Sequence, residues 1–380
     1  MKTAIVNTHI VMPDYLIPNG TIVIENGKIL DFGKKICTDG MEIIDAKGAY
    51  TGPGLIDIHT HADGETFFHE DAVKAAATLL QHGVTDVMPA LYFSANGDEL
   101  VRQIKFVRDA MNSGKADNII GLYMEAPYLN PNFGCNRESN PWRDVVAKEK
   151  FQKVVDEAYD IAKVWCIAPE RENIEEFVDY VREKNPYAVF SVAHSEAEPS
   201  QIERFIPKGL KLATHHTNAT GTLNRYPECR SACVDETALY NHEIYTELIC
   251  DKVGIHVDPY MLRLIKKIKG DDRIILIADA FVEHGPIPDG DLYEGADDIN
   301  FDFAGEIAGS KMILDGPCRN MMVHTGASIC QVFKYASTNP ARLLSLTDRG
   351  VIKKGNKANL ITVSAEFEVQ SVYLGGKKVK

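Results

Sequence analysis

Long apolar runs are missing from this sequence. No stretch approaches the roughly 18 apolar residues of a membrane-spanning helix, and the opening M-K-T-A-I-V-N-T-H-I-V-M-P-D lacks the continuous apolar segment of a secretory signal. A basic run is missing too. Lysine and arginine number 41 against 54 aspartates and glutamates, a formal net charge of −13. That balance argues against nucleic acid and anionic membrane as partners, and it means that an anionic substrate needs a local basic pocket. The 8 cysteines (Cys37, Cys135, Cys166, Cys229, Cys233, Cys250, Cys318 and Cys330) show no C-x-x-C spacing. In a chain too long to need covalent staples they read as reduced thiols, mostly buried. Repeats, low-complexity segments and flexible linkers are also absent, and the expectation is a cytoplasmic globular protein. At 380 residues, 45% hydrophobic and 25% charged, the chain can bury a large core and has room for one large domain and one small one.

The stretch around which the rest is organised is T-G-P-G-L-I-D-I-H-T-H, Thr51–His61. A turn followed by a short apolar run reads as a buried strand, and strand side chains alternate faces with period two. His59 and His61 therefore point the same way. Two imidazoles on one face at a strand end form half of a divalent-metal site, because neutral imidazole nitrogen suits zinc and iron. An isolated H-x-H also arises in chains that bind no metal, so its partners decide its meaning.

Eight buried-strand patterns follow in order: Leu55–His59, Thr85–Ala90, Ile119–Met124, Val164–Ala168, Ala188–Val192, Leu210–Thr214, Leu248–Ile249 with Gly254–Val257, and Arg273–Ala278. Helical patterns fall between most of them, at Glu70–His82, Asp98–Asn112, Lys148–Lys163, Ile174–Lys184 and Met261–Ile268. Alternating β and α predicts a parallel sheet, and eight units predict its closure into an α/β (β/α)8 TIM-type barrel. Short strands at both chain ends, with turn signals at Pro18-Asn19-Gly20, Asn26-Gly27 and Gly375-Gly376, predict a small β-sandwich-like domain built from residues 1–51 and 346–380 beside a barrel of 52–345.

Reactive side chains of such barrels sit where strands end. His59 and His61 close strand one, Glu125 strand three, His194 strand five, His215 strand six, His256 the proposed strand seven, and Asp279 strand eight. A carboxylate and imidazoles converging there can hold a divalent metal with an open position for water, whose pKa then falls towards ~7. Asp279 beside it is the natural proton shuttle, which makes the chemistry hydrolysis of an amide or a related bond. Each residue has a plainer alternative. Glu125 could be a surface carboxylate, Asp279 could cap a following helix, and His194 and His215 could be satisfied core histidines. His216, next to His215, faces away if the backbone there is extended.

The ordered motifs P-G-L-I-D-I-H-T-H, G-L-Y-M-E-A-P, V-A-H-S-E-A, T-H-H-T-N-A-T, G-I-H-V-D-P, I-L-I-A-D-A and G-E-I-A-G-S-K-M resemble the amidohydrolase superfamily and, within it, the N-acetylglucosamine-6-phosphate deacetylases. The likeness runs from about Ile44 to Leu360. It implies a zinc- or iron-dependent deacetylase of a phosphorylated amino sugar. Glu125, His194 and His215 are then the main metal ligands, Asp279 is the catalytic acid and base, and His59 and His61 offer a second metal site that not all members possess. Asn218 and Ala219 match sugar-phosphate contacts, and Ile307, Ala308 and Gly309 match a substrate-lining loop. Arg225 matches the phosphate arginine. It and His256 correspond to residues that reach a neighbouring subunit's substrate, so a homodimer is implied.

The sequence departs from that family at several points. E-G-P reads E-A-P here, T-D-A reads A-D-A, and Asn136 stands where the family has a substrate-contacting histidine. No lysine follows strand four, where Ile167-Ala168-Pro169-Glu170 stands, which argues against the carbamylated-lysine subtype. The competing readings are a hydrolase of another N-acyl compound, a deaminase, and a non-catalytic ligand-binding homologue. Retention of a proton shuttle beside the metal set disfavours the last.

Overall fold

The computed structural model describes residues 2–221 and 224–380; the side chains of 224 and 225 lie outside the described residues. Eight strands, Leu55–Thr60, Val84–Tyr92, Leu122–Glu125, Ala162–Ile167, Val189–Val192, Leu210–Ala213, Tyr245–Ile249 and Ile274–Ile277, lie side by side in chain order. Every neighbouring pair is parallel. These strands are apolar almost throughout because helices cover the outside while side chains fill the inside. The first and last meet at their C-terminal ends, where the N–H of Asp279 donates to His59 O (3.0 Å) and that of His61 to Ala280 O (2.9 Å). The result is a (β/α)8 barrel of TIM type.

Helices Phe68–Gln81, Gly97–Asn112, Ile174–Lys184 and Pro259–Lys269 lie where the apolar periodicity put them. The helix expected over 148–163 stops at Ala158, since Ala162 and Lys163 already belong to the fourth strand. The seventh strand is Tyr245–Ile249 alone; Gly254–Val257 is not a strand. The Asp251 carboxylate collects the N–H groups of Val253, Gly254, Ile255 and His256 and curls that segment into a loop. Beyond the eighth strand an antiparallel hairpin, Ile299–Phe301 with Ile307–Ser310, and the helix Asp315–Thr325 had no counterpart in the periodicity.

The two chain ends share a second sheet. Tyr50–Pro53 runs antiparallel to Leu360–Val363, with Thr51 opposite Thr362, and on its other side pairs with Thr3–Val11. Asn26 and Gly27 turn a hairpin with φ of 51° and 77°, the signature of a type I′ turn. Pro18-Asn19-Gly20, by contrast, lies inside the strand Leu16–Glu25, whose register against Thr3–Val11 slips nearby as in a bulge. Among the described residues, no helix is long and apolar enough to cross a membrane.

Candidate active site

The seam that closes the barrel also assembles the polar cluster. Glu125, the last residue of the third strand, is 2% exposed and stands between two pairs of histidines. Its Oε1 lies 2.6 Å from His194 Nε2 and 3.0 Å from His215 Nε2, while Oε2 lies 3.0 Å from His61 Nε2 and 3.5 Å from His59 Nε2. Asp279 Oδ1 is 3.4 Å from His61 Nε2 and 3.6 Å from His59 Nε2. Two candidate metal-ligand groups result, Glu125/His194/His215 and His59/His61/Asp279, each with donor atoms within 4.8 Å of one another.

The plainer alternatives for Glu125, Asp279 and His194 do not fit this geometry. Glu125 is no surface residue, no helix starts at Asp279, and His194 Nδ1 is buried without a partner among the described residues. His216 points away from the cluster towards Asp235 Oδ1 at 3.5 Å, and burial pushes its pKa down to about 3. The backbone there is not extended, because His215 has a φ of 29°. His194 and Asp279 share this left-handed conformation, with φ of 42° and 45°. Such strain costs on the order of 1–3 kcal/mol per residue and persists where the surrounding structure enforces it.

Hydrogen bonds behind the rings set their tautomers. His59 Nδ1 lies 3.1 Å from Glu247 Oε2, and His215 Nδ1 lies 3.2 Å from Asn218 O, so each Nδ1 donates and each Nε2 presents its lone pair to the cluster. His194 Nε2 and His215 Nε2 then face each other at 3.1 Å. No such partner fixes the tautomer of His194, and its Nε2 shares Glu125 Oε1 with that of His215. His59 Nε2 is also buried without a hydrogen-bond partner among the described residues. Imidazole nitrogens with one or two carboxylates match the donor set of a divalent metal. Burial alone raises a carboxyl pKa, but the surrounding imidazoles outweigh it: Glu125 is held well below the usual carboxylate range and Asp279 falls to about 2.

Above the cluster opens a cavity of about 380 Å³. Asn218, Ala219, His256, Ile307, Ala308 and Gly309 all line it. His256 does so from the loop after strand seven, its Nδ1 3.1 Å from Asp251 Oδ2 and its Nε2 without a partner among the described residues. Burial works against the Asp251 charge, but His256 and the loop amides hold its pKa down to about 2. Asn136 does not line this cavity. With a φ of 55° it turns towards Glu283, Nδ2 to Oε1 at 3.2 Å, in an adjoining pocket, and Cys135 faces the main one. The backbone of Arg225 forms part of the strand Asn224–Tyr226, and its side chain lies outside the described residues.

Two glycines are required by close approach. A Cβ on Gly309 (φ 65°) meets Asp279 O at 2.5 Å, and one on Gly134 (φ 92°) meets His194 Nδ1 at 2.9 Å. The sequence reading missed Glu247, Tyr92 and Phe281. Glu247 carried a signal, an acid two residues before Ile249 in a short strand, Y-T-E-L-I, that helices bury from outside. The rings of Tyr92 and Phe281 pack edge-on against His61, at centroid distances of 5.5 and 5.2 Å, and nothing in their spacing distinguished them from core aromatics.

A buried nitrogen and oxygen donor cluster at the C-terminal mouth of a (β/α)8 barrel, with a carboxylate beside it, defines a metal-dependent hydrolase. The chain belongs to the amidohydrolase family, whose model matches residues 51–379. It is similar to the N-acetylglucosamine-6-phosphate deacetylase of Haemophilus influenzae, 24% identical with 99% of each chain covered. It is likewise similar to the N-acetylgalactosamine-6-phosphate deacetylase of Escherichia coli O157:H7, 25% identical with 86% of each covered. Among solved structures, it resembles a Mycobacterium smegmatis N-acetyl-D-glucosamine-6-phosphate deacetylase mutant in complex with N-acetyl-D-glucosamine-6-phosphate. That likeness has a TM-score of 0.84 at 23% identity, over 100% of this chain and 99% of that one.

Proposed function

We propose that the protein hydrolyses the acetamide of N-acetylglucosamine-6-phosphate, releasing acetate and glucosamine-6-phosphate. The observation that carries this reading is the position of Asp279, a buried carboxylate 3.4 Å from His61 Nε2 at the floor of a cavity that also exposes Glu125, His194 and His215. Full-length similarity to deacetylases of 6-phosphorylated N-acetyl amino sugars supports the substrate class.

In this reading Glu125, His194 and His215 would hold a zinc ion, and His59 and His61 with Asp279 would form the second group. A metal bound there would supply Lewis-acid chemistry, lowering the pKa of a water and polarising the acyl carbonyl. Asp279, ionised at neutral pH, takes a proton from the attacking water and passes it to the amine nitrogen, which leaves poorly unless protonated. Asn218, Ala219 and the Ile307–Gly309 segment hold the sugar, while Arg225 and His256 hold the phosphate, across the interface of a homodimer. Residues 52–345 form the hydrolase unit, with 1–51 and 346–380 as the small β unit beside it, in a cytoplasmic enzyme.

The test is acetate release from N-acetylglucosamine-6-phosphate and N-acetylgalactosamine-6-phosphate by purified protein, before and after chelation and zinc readdition. Activity lost to the chelator and restored by zinc is expected. No acetate from either sugar phosphate overturns the reading.

A further inference from the structure

Arg137 and Glu306 face each other across the mouth of the cavity. Arg137 Nη1 lies 2.6 Å from Glu306 Oε2 and Nη2 lies 2.7 Å from Oε1, a bidentate pair between the loop after the third strand and the hairpin after the eighth. Both residues line the cavity that contains Asp279, and among the described residues Arg137 is the only lysine or arginine that does so. Each end of the pair is fixed from behind. Arg137 Nη1 also donates to Gly134 O (3.2 Å), and Arg143 Nη2 donates to Arg137 O (2.6 Å). On the other side the Glu306 N–H donates to Asp302 Oδ1 (2.9 Å), and the Ser310 N–H ties the hairpin to Asp279 O (2.8 Å).

The pair is poorly explained as a structural strut. The two side chains are 36% and 44% exposed, and ion pairs so open to water add little net stability. Glu306 occupies a guanidinium whose planar fork also fits a phosphate. In a protein of net charge −13, a cation at the mouth also supplies the local positive charge that an anionic substrate requires.

We propose that Arg137 acts alongside Arg225 and His256 as a specificity-determining residue that exchanges Glu306 for the phosphate of the substrate. Glu306 holds the guanidinium at the rim when the cavity is free and competes with the incoming anion. This rests on the deacetylase reading for the identity of the substrate, but not for the binding of phosphate itself.

The two partners make opposite predictions. Inorganic phosphate titrated calorimetrically into the zinc-loaded protein is expected to bind at least tenfold more weakly to Arg137→Ala and more tightly to Glu306→Gln. The ratio of kcat/KM for N-acetylglucosamine-6-phosphate to that for N-acetylglucosamine should move the same way, falling at least tenfold in the first variant and rising in the second. A strut predicts that both variants weaken binding alike. Phosphate affinity unchanged in Arg137→Ala, or reduced in both variants, overturns the proposal. Absence of acetate release from wild-type protein instead defeats the deacetylase reading, and the phosphate titration still decides the role of Arg137.

Discussion

Glu247 Oε2 lies 3.1 Å from His59 Nδ1, and the same oxygen accepts the backbone N–H of His215 at 3.2 Å and the Tyr123 hydroxyl at 3.3 Å. One fully buried carboxylate thus orients a member of each ligand group. Glu247→Leu leaves the His59 Nδ1–H unpaired and releases the backbone behind His215. Metal affinity is expected to fall about 10–100-fold, the usual effect of losing an outer partner of a metal-bound histidine. Titration against a competing chelator measures it. Unchanged affinity in a folded variant would remove Glu247 from this role.

Asp279→Asn keeps the shape of the side chain but cannot accept a proton. Its kcat is expected to fall by about 10²–10⁴, the range that a positioned acid or base contributes. Glu125, His194 and His215 are untouched, so elemental analysis should still find the metal of that group. Near-full turnover with the metal retained is incompatible with a proton-carrying Asp279.

Gly309→Ala places a Cβ 2.5 Å from Asp279 O at a φ of 65°. Both strain and displacement follow, with a stability loss of about 1–3 kcal/mol and a reduced kcat, because the displaced carbonyl belongs to the proposed proton carrier. Gly40 has a φ of 74° and nothing within 4 Å of its Cβ position, so Gly40→Ala should lose stability while keeping its kcat. Denaturant midpoints at constant slope report the first effect and turnover the second. Equal turnover in the two variants would show that close approach at Gly309 is immaterial.

Lys269 is 3% exposed, and its Nζ donates to Ala238 O (2.8 Å) and Asn241 O (2.7 Å). Burial lowers its pKa from 10.5 to about 8. An unfolded chain keeps the ordinary lysine value of about 10.4, so between those two values it binds more protons than the folded protein. The contribution of Lys269 therefore makes stability rise as the pH increases from about 8 to about 10. Lys269→Met removes the titrating group, and its unfolding free energies at the two pH values should lose that rise relative to wild type. An identical slope in the two proteins would contradict the depressed pKa.

The barrel and the residues at its rim were legible in the pattern of the chain. Apolar runs alternating with helical periodicity leave few arrangements other than a closed parallel sheet, and a parallel barrel carries every strand end to the same face. His59, His61, Glu125, His194, His215 and Asp279 could be named as neighbours from strand order alone, though they span more than half the chain. Tertiary structure decided what periodicity does not encode. Whether Glu125 faces one pair of histidines or stands between two depends on barrel radius and strand stagger. His256 reaches the cavity from a loop gathered by Asp251, and the left-handed Asn136 hands its expected place to Cys135. Glu247 matters because the sheet curls until its seventh strand faces its first, and Arg137 meets Glu306 only because the barrel closes between loops 169 positions apart in the chain. Such pairings depend on how the sheet closes in three dimensions, and no local pattern of residues records it.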